Sequence, residues 1–484
     1  MLWALLFIAV VICYMLFRAV ALDTHAAPKA PVDLASIPEM PMDAERATQS
    51  LSAAIRIKTV SYKDTPQTDY ASFIQYHNFL RERYPLIHSV MQREAVGGYS
   101  LLYRWRGDGA AEELPVLFMA HMDVVPVQQQ TLDQWPYPPF SGEVAEGYVW
   151  GRGTMDMKSH MITLLEAAET LIAQGFSPKR DIYFAFGHDE EIFGEGIPAV
   201  QRLLQQRNIR FELVLDEGGC IIDGSDFGVQ GVLATIGLCE KGIADYKLTS
   251  RQAGGHSSTP PRQTALGVIA RAIDRIQNRP RRLRVTPPIR YMLTAIGPSM
   301  NFAKRFVIAN LWLFGPFAAR LLLGNPATAA MVRTTMAPTM AKASDASNVL
   351  PEVCEAVVNC RILPGETVES VRRHIARSIA DDRVEITVPY GFDPSPISDR
   401  HQAGYARVAQ TVMDVFPGVI PVPTLLTGAT DSRHMHSLSD CVLRFSPCYC
   451  PADARSRIHS TGERIAVDNI DGMLRFFARL MQQF

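Results

Sequence analysis

Three short apolar runs, PVLFMA (115–120), DIYFAF (181–186) and FELVL (211–215), have strand length and β-rich composition. Between the first two, MITLLEAAETLIAQG sets Ile162, Leu165, Ala168 and Leu171/Ile172 at helical spacing and closes on Gly175. Strands alternating with helices predict an α/β fold: a mainly parallel sheet with helices on both faces. Chemistry in such sheets gathers beyond the carboxyl ends of the strands. All three runs end there in ligand-type residues: His121-Met122-Asp123, His188-Asp189-Glu190-Glu191 and Asp216-Glu217-Gly218-Gly219. Adjacent carboxylates at the mouth of a buried strand lose hydration or shift their pKa unless something holds them.

After Glu240 the pattern changes. KGIADYKLTS, the Gly-rich AGGHSS, a helix, and then EAVVNCRILPGETVESVRRHIARSIADDRVEITV read as an inserted α+β unit. From about residue 391 the α/β style returns with a helix, the loop TGATDSRHMHS, the strand CVLRFS and a closing helix. The expected organisation is a catalytic domain in two parts, 46–240 and 391–484, around a smaller domain at 241–390.

The N-terminus stands apart. MLWALLFIAVVICYMLF has 17 residues without a charge, followed by Arg18 and AVAL, close to the roughly 20 residues that cross a bilayer. No Lys or Arg precedes it, which favours an uncleaved anchor (1–22) over a cleaved signal, although AVA at 19–21 resembles a weak cleavage site. A polar, Pro-rich linker follows over 23–45. The expectation is a membrane-anchored protein with its catalytic body on the exported side. Lys and Arg number 48 against 49 Asp and Glu, so charge gives no case for nucleic acid as a partner. The eight cysteines form no CxxC metal pair, and no G-x-S-x-G elbow supports a serine hydrolase.

A dinuclear metal site needs imidazole and carboxylate ligands from several segments, one carboxylate bridging the ions. Candidates are His121, Asp156 in GRGTMDMK, Glu191, one acid of Asp216-Glu217, and His459 in RIHSTGE. Asp123, two residues beyond His121, points to the same side of an extended segment and can orient a ligand from behind.

This set resembles the M20 family of zinc-dependent amidohydrolases and peptidases. HMD, GRGTMDMK, HDEE, LDEGG, GGHSS, SNVLPE, CRILPGET, TGATDSR and IHSTGE follow in the family's order from about residue 46 to the end. HDEE, IHSTGERI and a hydrophobic insertion are most similar to the branch of carboxypeptidase S and the N-fatty-acyl-amino-acid synthase/hydrolases. The resemblance implies a zinc-exopeptidase-like catalytic domain with an inserted ferredoxin-like lid and dimerisation domain, forming a homodimer. It implies two zinc ions per subunit, cobalt accepting the same N/O donors. His121 binds one ion, Asp156 bridges, and Glu191 and His459 bind the other. Glu217 is the preferred remaining ligand and Asp216 the alternative, since neighbours on an extended chain face opposite ways. Asp123 orients the site, and Glu190 is the general base that takes a proton from water and gives it to the leaving amine.

His256 in AGGHSS is then a donor to the tetrahedral oxyanion, supplied within the chain or by a partner subunit. Asn348, Arg361 and Arg433 are candidates to hold a substrate carboxylate, for which a planar guanidinium suits two hydrogen bonds. The implied substrate is a dipeptide or an N-acyl amino acid. A non-catalytic anchored binding protein with the same fold is the alternative of another class; the competent residue at each position argues against it. His188, the most conspicuous ligand type in HDEE, is read as a non-ligand. The segment 302–324, FAKRFVIANLWLFGPFAARLLLG, is very apolar but is interrupted by Asn310, Gly315-Pro316 and Arg320. It is expected as a helix pair packed on the small domain or at a subunit contact, with acyl-chain or bilayer contact as the sharper alternative.

Overall fold

Residues 2–22, 33–109 and 113–484 are described by a computed structural model. Positions 23–32 of the expected linker lie outside the described residues; beyond them come a short turn at Leu34–Ser36 and the helix Ala44–Arg56.

The predicted strands form at Val116–His121, Ile182–Gly187 and Leu213–Asp223, the first two buried along their whole length. Burial on both faces is what makes such strands read as unbroken apolar runs. They pair in parallel at the centre of an eight-stranded sheet, with 182–187 beside 116–121, then 213–223, then Val442–Tyr449. The strands next to this core on either side, 100–105 and 232–240, run antiparallel to it. Gln92–Val96 and Ser100–Trp105 lie at one edge, and Val232–Glu240 and Val419–Leu426 at the other.

Helices cover both faces, as the α/β reading requires. Phe118, Phe184, Phe186 and Leu215 point to the side covered by Ala44–Arg56, Lys158–Ala173 and Val467–Met481. Leu117, Met119, Tyr183 and Val214, one residue out of phase, point to the side of Gly196–Gln206.

The 213–223 strand runs further than the sequence suggests. FELVL reads as ending before Asp-Glu-Gly-Gly, but pairing with 442–449 jumps from Arg444↔Asp216 to Phe445↔Gly219 and continues. Glu217 and Gly218 bulge from the ladder. Gly218 has φ +135°, and a side chain at Gly219 would collide with the Thr235 carbonyl, so two glycines let a charged pair leave the ladder without ending the strand.

A second, four-stranded antiparallel sheet has the order Thr335–Lys342, Val353–Ile362, Gly242–Arg251, Val384–Phe392, with the helices Ala265–Gln277 and Val368–Ile379 packed on it. The two chain crossings between the sheets lie side by side: the Glu240 N–H donates to Ser395 Oγ (3.0 Å) and Ser395 N–H to the Glu240 carbonyl (3.3 Å).

The apolar insertion takes its expected form but does not lie on the small sheet. It forms a helix pair, Phe302–Ala309 and Leu311–Leu321, broken at Asn310, with Pro316 inside the second helix. It packs with Pro287–Ile296 toward the 419–426 edge of the main sheet and shares a core with Ile222, Leu233 and Val422. Edge strands are where a sheet needs cover, and this helical layer supplies it there instead of on the small sheet. The helix Leu2–Ala21 leans on 302–309, burying Met15 and Ala19.

Candidate metal centre and active site

Five segments bring the predicted ligands together at the carboxyl ends of the parallel strands. His121 is the last residue of 116–121 and lies level with Gly187. Its Nε2 sits 3.0 Å from Asp156 Oδ1 and 3.3 Å from Glu217 Oε1. The other carboxylate oxygen of Asp156, Oδ2, is 3.0 Å from His459 Nε2, which is also 3.1 Å from Glu191. Two three-residue groups result, His121–Asp156–Glu217 and Asp156–Glu191–His459, each with ligand atoms within 4.8 Å of one another and with Asp156 common to both. Asp216 turns away: its carboxylate accepts from the Ser432 N–H (2.9 Å) and the Glu217 N–H (2.9 Å).

Asp123 is fully buried and anchors the cluster from behind. Its carboxylate accepts from Ser61 Oγ (2.6 Å) and from the backbone N–H groups of Glu190 and Glu191 (both 3.2 Å), and it lies 3.4 Å from His121 Nδ1. It thereby ties the imidazole of one strand end to the acidic turn of the next. Glu190 opens that turn, a single 3₁₀ turn at Glu190–Ile192, and is buried.

The electrostatics show a crowd of carboxylates with too few partners. Burial, reinforced by Asp156, pushes Glu217 up to about 8 and Glu191 up to about 7. Burial also holds Glu190 well above the carboxylate range, with Asp431, Glu217 and Glu191 adding to it. Hydrogen bonding to Asp156 and Glu191 lifts His459 to about 10. For Asp156, burial is outweighed by hydrogen bonds from His121 and His459, and its carboxyl stays low. Three apposed carboxylates and two imidazoles facing one another form two groups of candidate metal ligands, and a cation among them would compensate charge that the protein leaves uncompensated.

His188 is not among these groups. It is buried, its Nδ1 is 2.8 Å from Ser100 Oγ, and its ring packs edge-on to Phe73 and Tyr99. His256 and Asn348 lie together on a short exposed ribbon, where His256 pairs with Val349 and Ser257 N–H donates to the Asn348 carbonyl (3.0 Å). Neither bonds to the carboxylate cluster; the His256 side chain contacts Ser258 (2.8 Å). Arg361 is half-buried on 353–362, where burial lowers its pKa against the opposing pull of Asp245 and Tyr390. Arg433 donates to the Thr430 carbonyl (2.8 Å) and lies over the rings of Phe193 (5.3 Å) and Phe392 (4.8 Å), while Phe193 stacks on Tyr390.

Two groups escaped the sequence reading. The aromatic clasp of Phe193, Tyr390 and Phe392 joins residues some two hundred positions apart, and only Phe193, inside FGHDEEIFGEG, carried a local hint. Glu463, the last residue of IHSTGE, is fully buried and accepts from the N–H groups of Gly153 (3.0 Å), Met155 (2.9 Å) and Asp156 (3.3 Å), and it pairs with Arg152. It fixes the loop that presents Asp156 to the segment that presents His459. Glu463→Gln leaves Arg152 buried and unpaired, so the free energy of unfolding should fall by about 3–5 kcal/mol in chemical denaturation. A change below about 1 kcal/mol would show that the ion pair does not secure the loop.

Known proteins resemble this chain in sequence and in fold. The family model of Peptidase family M20/M25/M40 matches residues 117–483. The chain is 37% identical over 443 residues to an N-fatty-acyl-amino acid synthase/hydrolase of Xenopus tropicalis, covering 90% of this chain and 86% of that one. It is 36% identical over 442 residues to a probable carboxypeptidase S-like protein of Dictyostelium discoideum, covering 90% and 84%. An M20 family metallo-carboxypeptidase of Sulfolobus solfataricus has the same fold, with a TM-score of 0.65 at 14% identity over 90% of this chain and 98% of that one. The protein is therefore a member of peptidase family M20/M25/M40, an enzyme of the metallopeptidase and amidohydrolase kind.

Proposed function

We propose that this enzyme is a di-zinc hydrolase of an amide or peptide bond in a small substrate with a free carboxylate. The observation that carries the reading is Asp156, which offers one oxygen to the His121–Glu217 side and the other to the Glu191–His459 side. His121, Asp156 and Glu217 would hold one ion, and Asp156, Glu191 and His459 the other; cobalt suits the same donors. The position of Asp216, turned to Ser432, supports Glu217 as the ligand. When bound, the ions supply Lewis-acid activation of water and of the scissile carbonyl.

The chain's own residues do the rest. Asp123 keeps His121 oriented and pins the Glu190–Glu191 turn. Glu190, kept out of bulk water, accepts a proton from the attacking water and returns it to the departing nitrogen; its raised pKa suits a group that must do both. Arg433 is the first choice to hold the substrate carboxylate, because among the described residues its side chain donates only to the Thr430 carbonyl; Arg361 supports it from the second sheet. His256 and Asn348, side by side and exposed, fit a role as donors to the oxyanion and substrate across a homodimer formed by the second sheet's domain (241–390). The apolar helix Leu2–Ala21 anchors the protein, with the catalytic body on the exported side.

Chelation of the full-length enzyme should abolish hydrolysis, and zinc or cobalt should restore it, with about two ions per chain at full activity. Dipeptides and N-acyl amino acids of increasing chain length, assayed side by side, would set the substrate class. Undiminished turnover in chelator, with no metal found by elemental analysis, would refute the reading.

A further inference from the structure

The helix pair at 302–321 turns an apolar face outward: Trp312 is 58% exposed, Phe317 51% and Leu321 62%. Isolated exposed apolar residues are ordinary, but a cluster on adjacent helical turns is not. An open apolar cavity of about 510 Å³ lies at the same face, walled by Phe317, Leu321, Val307 and Ile296 with Lys304 among its lining.

What covers this face follows from its neighbour. Leu2–Ala21 has 20 residues, about 30 Å of helix, which only just matches the hydrocarbon core of a bilayer. Yet the part that packs against 302–309 is not past the end of that helix. Met15 and Ala19 are the buried contacts, and Asn310 Nδ2 donates to the Met15 carbonyl (3.1 Å) from a fully buried position. Only Leu2 to Tyr14, about 20 Å, projects beyond the contact. A helix using its full length to span therefore draws its packing partner to the depth of residues 15–21.

We propose that the 302–323 helix pair is a second membrane contact, lying in the plane of the leaflet beside the spanning helix, with Trp312, Leu313, Phe317 and Leu321 among the acyl chains. This rests on the anchoring role proposed for Leu2–Ala21. The lengths fit an in-plane element: helices of 8 and 11 residues, broken at Asn310, are too short to span, while Lys304 and Arg320 place charge on the same helices at a depth where headgroups can meet it.

The test uses the full-length protein in phosphatidylcholine vesicles carrying a diazirine-tagged acyl chain, irradiated and mapped by peptide mass spectrometry. Adducts are expected on peptides from both 2–21 and 302–323. The double variant L313D/F317D should lower labelling of 302–323 by about fivefold or more while 2–21 stays labelled. Adducts on 2–21 alone would overturn the helix-pair contact and leave the anchor standing, and undiminished labelling in the double variant would overturn it equally. Absence of adducts from both segments would remove the anchor and the proposal together. In a parallel sample treated with a bifunctional cross-linker, chain-to-chain links between two copies of 302–323 would assign the face to a second copy of the protein and overturn the lipid contact.

Discussion

Glu190→Ala should lower kcat by about a hundred- to ten-thousandfold, or about 3–5 kcal/mol of transition-state stabilisation, with metal content and fold unchanged. The separation follows from the 3₁₀ turn. Glu191 faces His459, whereas Glu190 belongs to neither three-residue group. The two N–H groups that tie the turn to Asp123 belong to the backbone and survive the substitution. Glu190 is buried beside Asp431, Glu217 and Glu191, and burial and these acidic neighbours raise its pKa, so removing its carboxylate takes one charge out of a crowded acidic site. Steady-state kinetics beside elemental analysis checks this: activity within about threefold of the parent would exclude Glu190 as the base, and loss of metal would make it a ligand instead.

Asp156→Ala should produce the opposite pairing, in which turnover disappears because the ions do. Among the described residues Asp156 alone belongs to both candidate ligand groups, so on the proposed di-zinc reading its loss strips a ligand from both positions at once, and occupancy should fall from about two ions to below one per chain. His121→Ala or His459→Ala each removes a ligand from one group only, and a single ion of reduced affinity should remain. Retention of about two ions by Asp156→Ala would end the bridging assignment. Circular dichroism guards the comparison, since Glu463 holds the Asp156 loop through backbone N–H groups that the substitution leaves intact.

What the sequence disclosed depended on whether the physics was local. Strands 116–121 and 182–187 were legible because burial on both faces writes an apolar run, and the 158–173 helix because its inward face repeats at the helical period. The end of the third strand was misjudged, because Asp-Glu-Gly-Gly has the composition of a loop while the chain uses it as a bulge. At the site, His121, Asp156, Glu191, Glu217 and His459 do converge, and each carries a motif of its own. Glu463 and the ring pair Tyr390–Phe392 went unread because their value lies in partners far along the chain, which no spacing rule encodes. The insertion at 302–324 was seen as a helix pair, but of the neighbours expected for it the small sheet is not the one it packs on, since amphipathic sequence reveals that a face is buried and not against what.

The clasp around Arg433 has a mechanical side. Phe193 belongs to the acidic turn of the large sheet, and Tyr390 and Phe392 to an edge strand of the small one; the guanidinium lies over a ring from each. Away from the paired crossings at Glu240 and Ser395, this contact spans the gap between the two bodies. Cation–π contact contributes about 1–2 kcal/mol, which biases a two-state balance by only about five- to thirtyfold. A contact of that size fastens the acidic turn to the edge strand without welding them: losing one ring would loosen the join by no more than that amount.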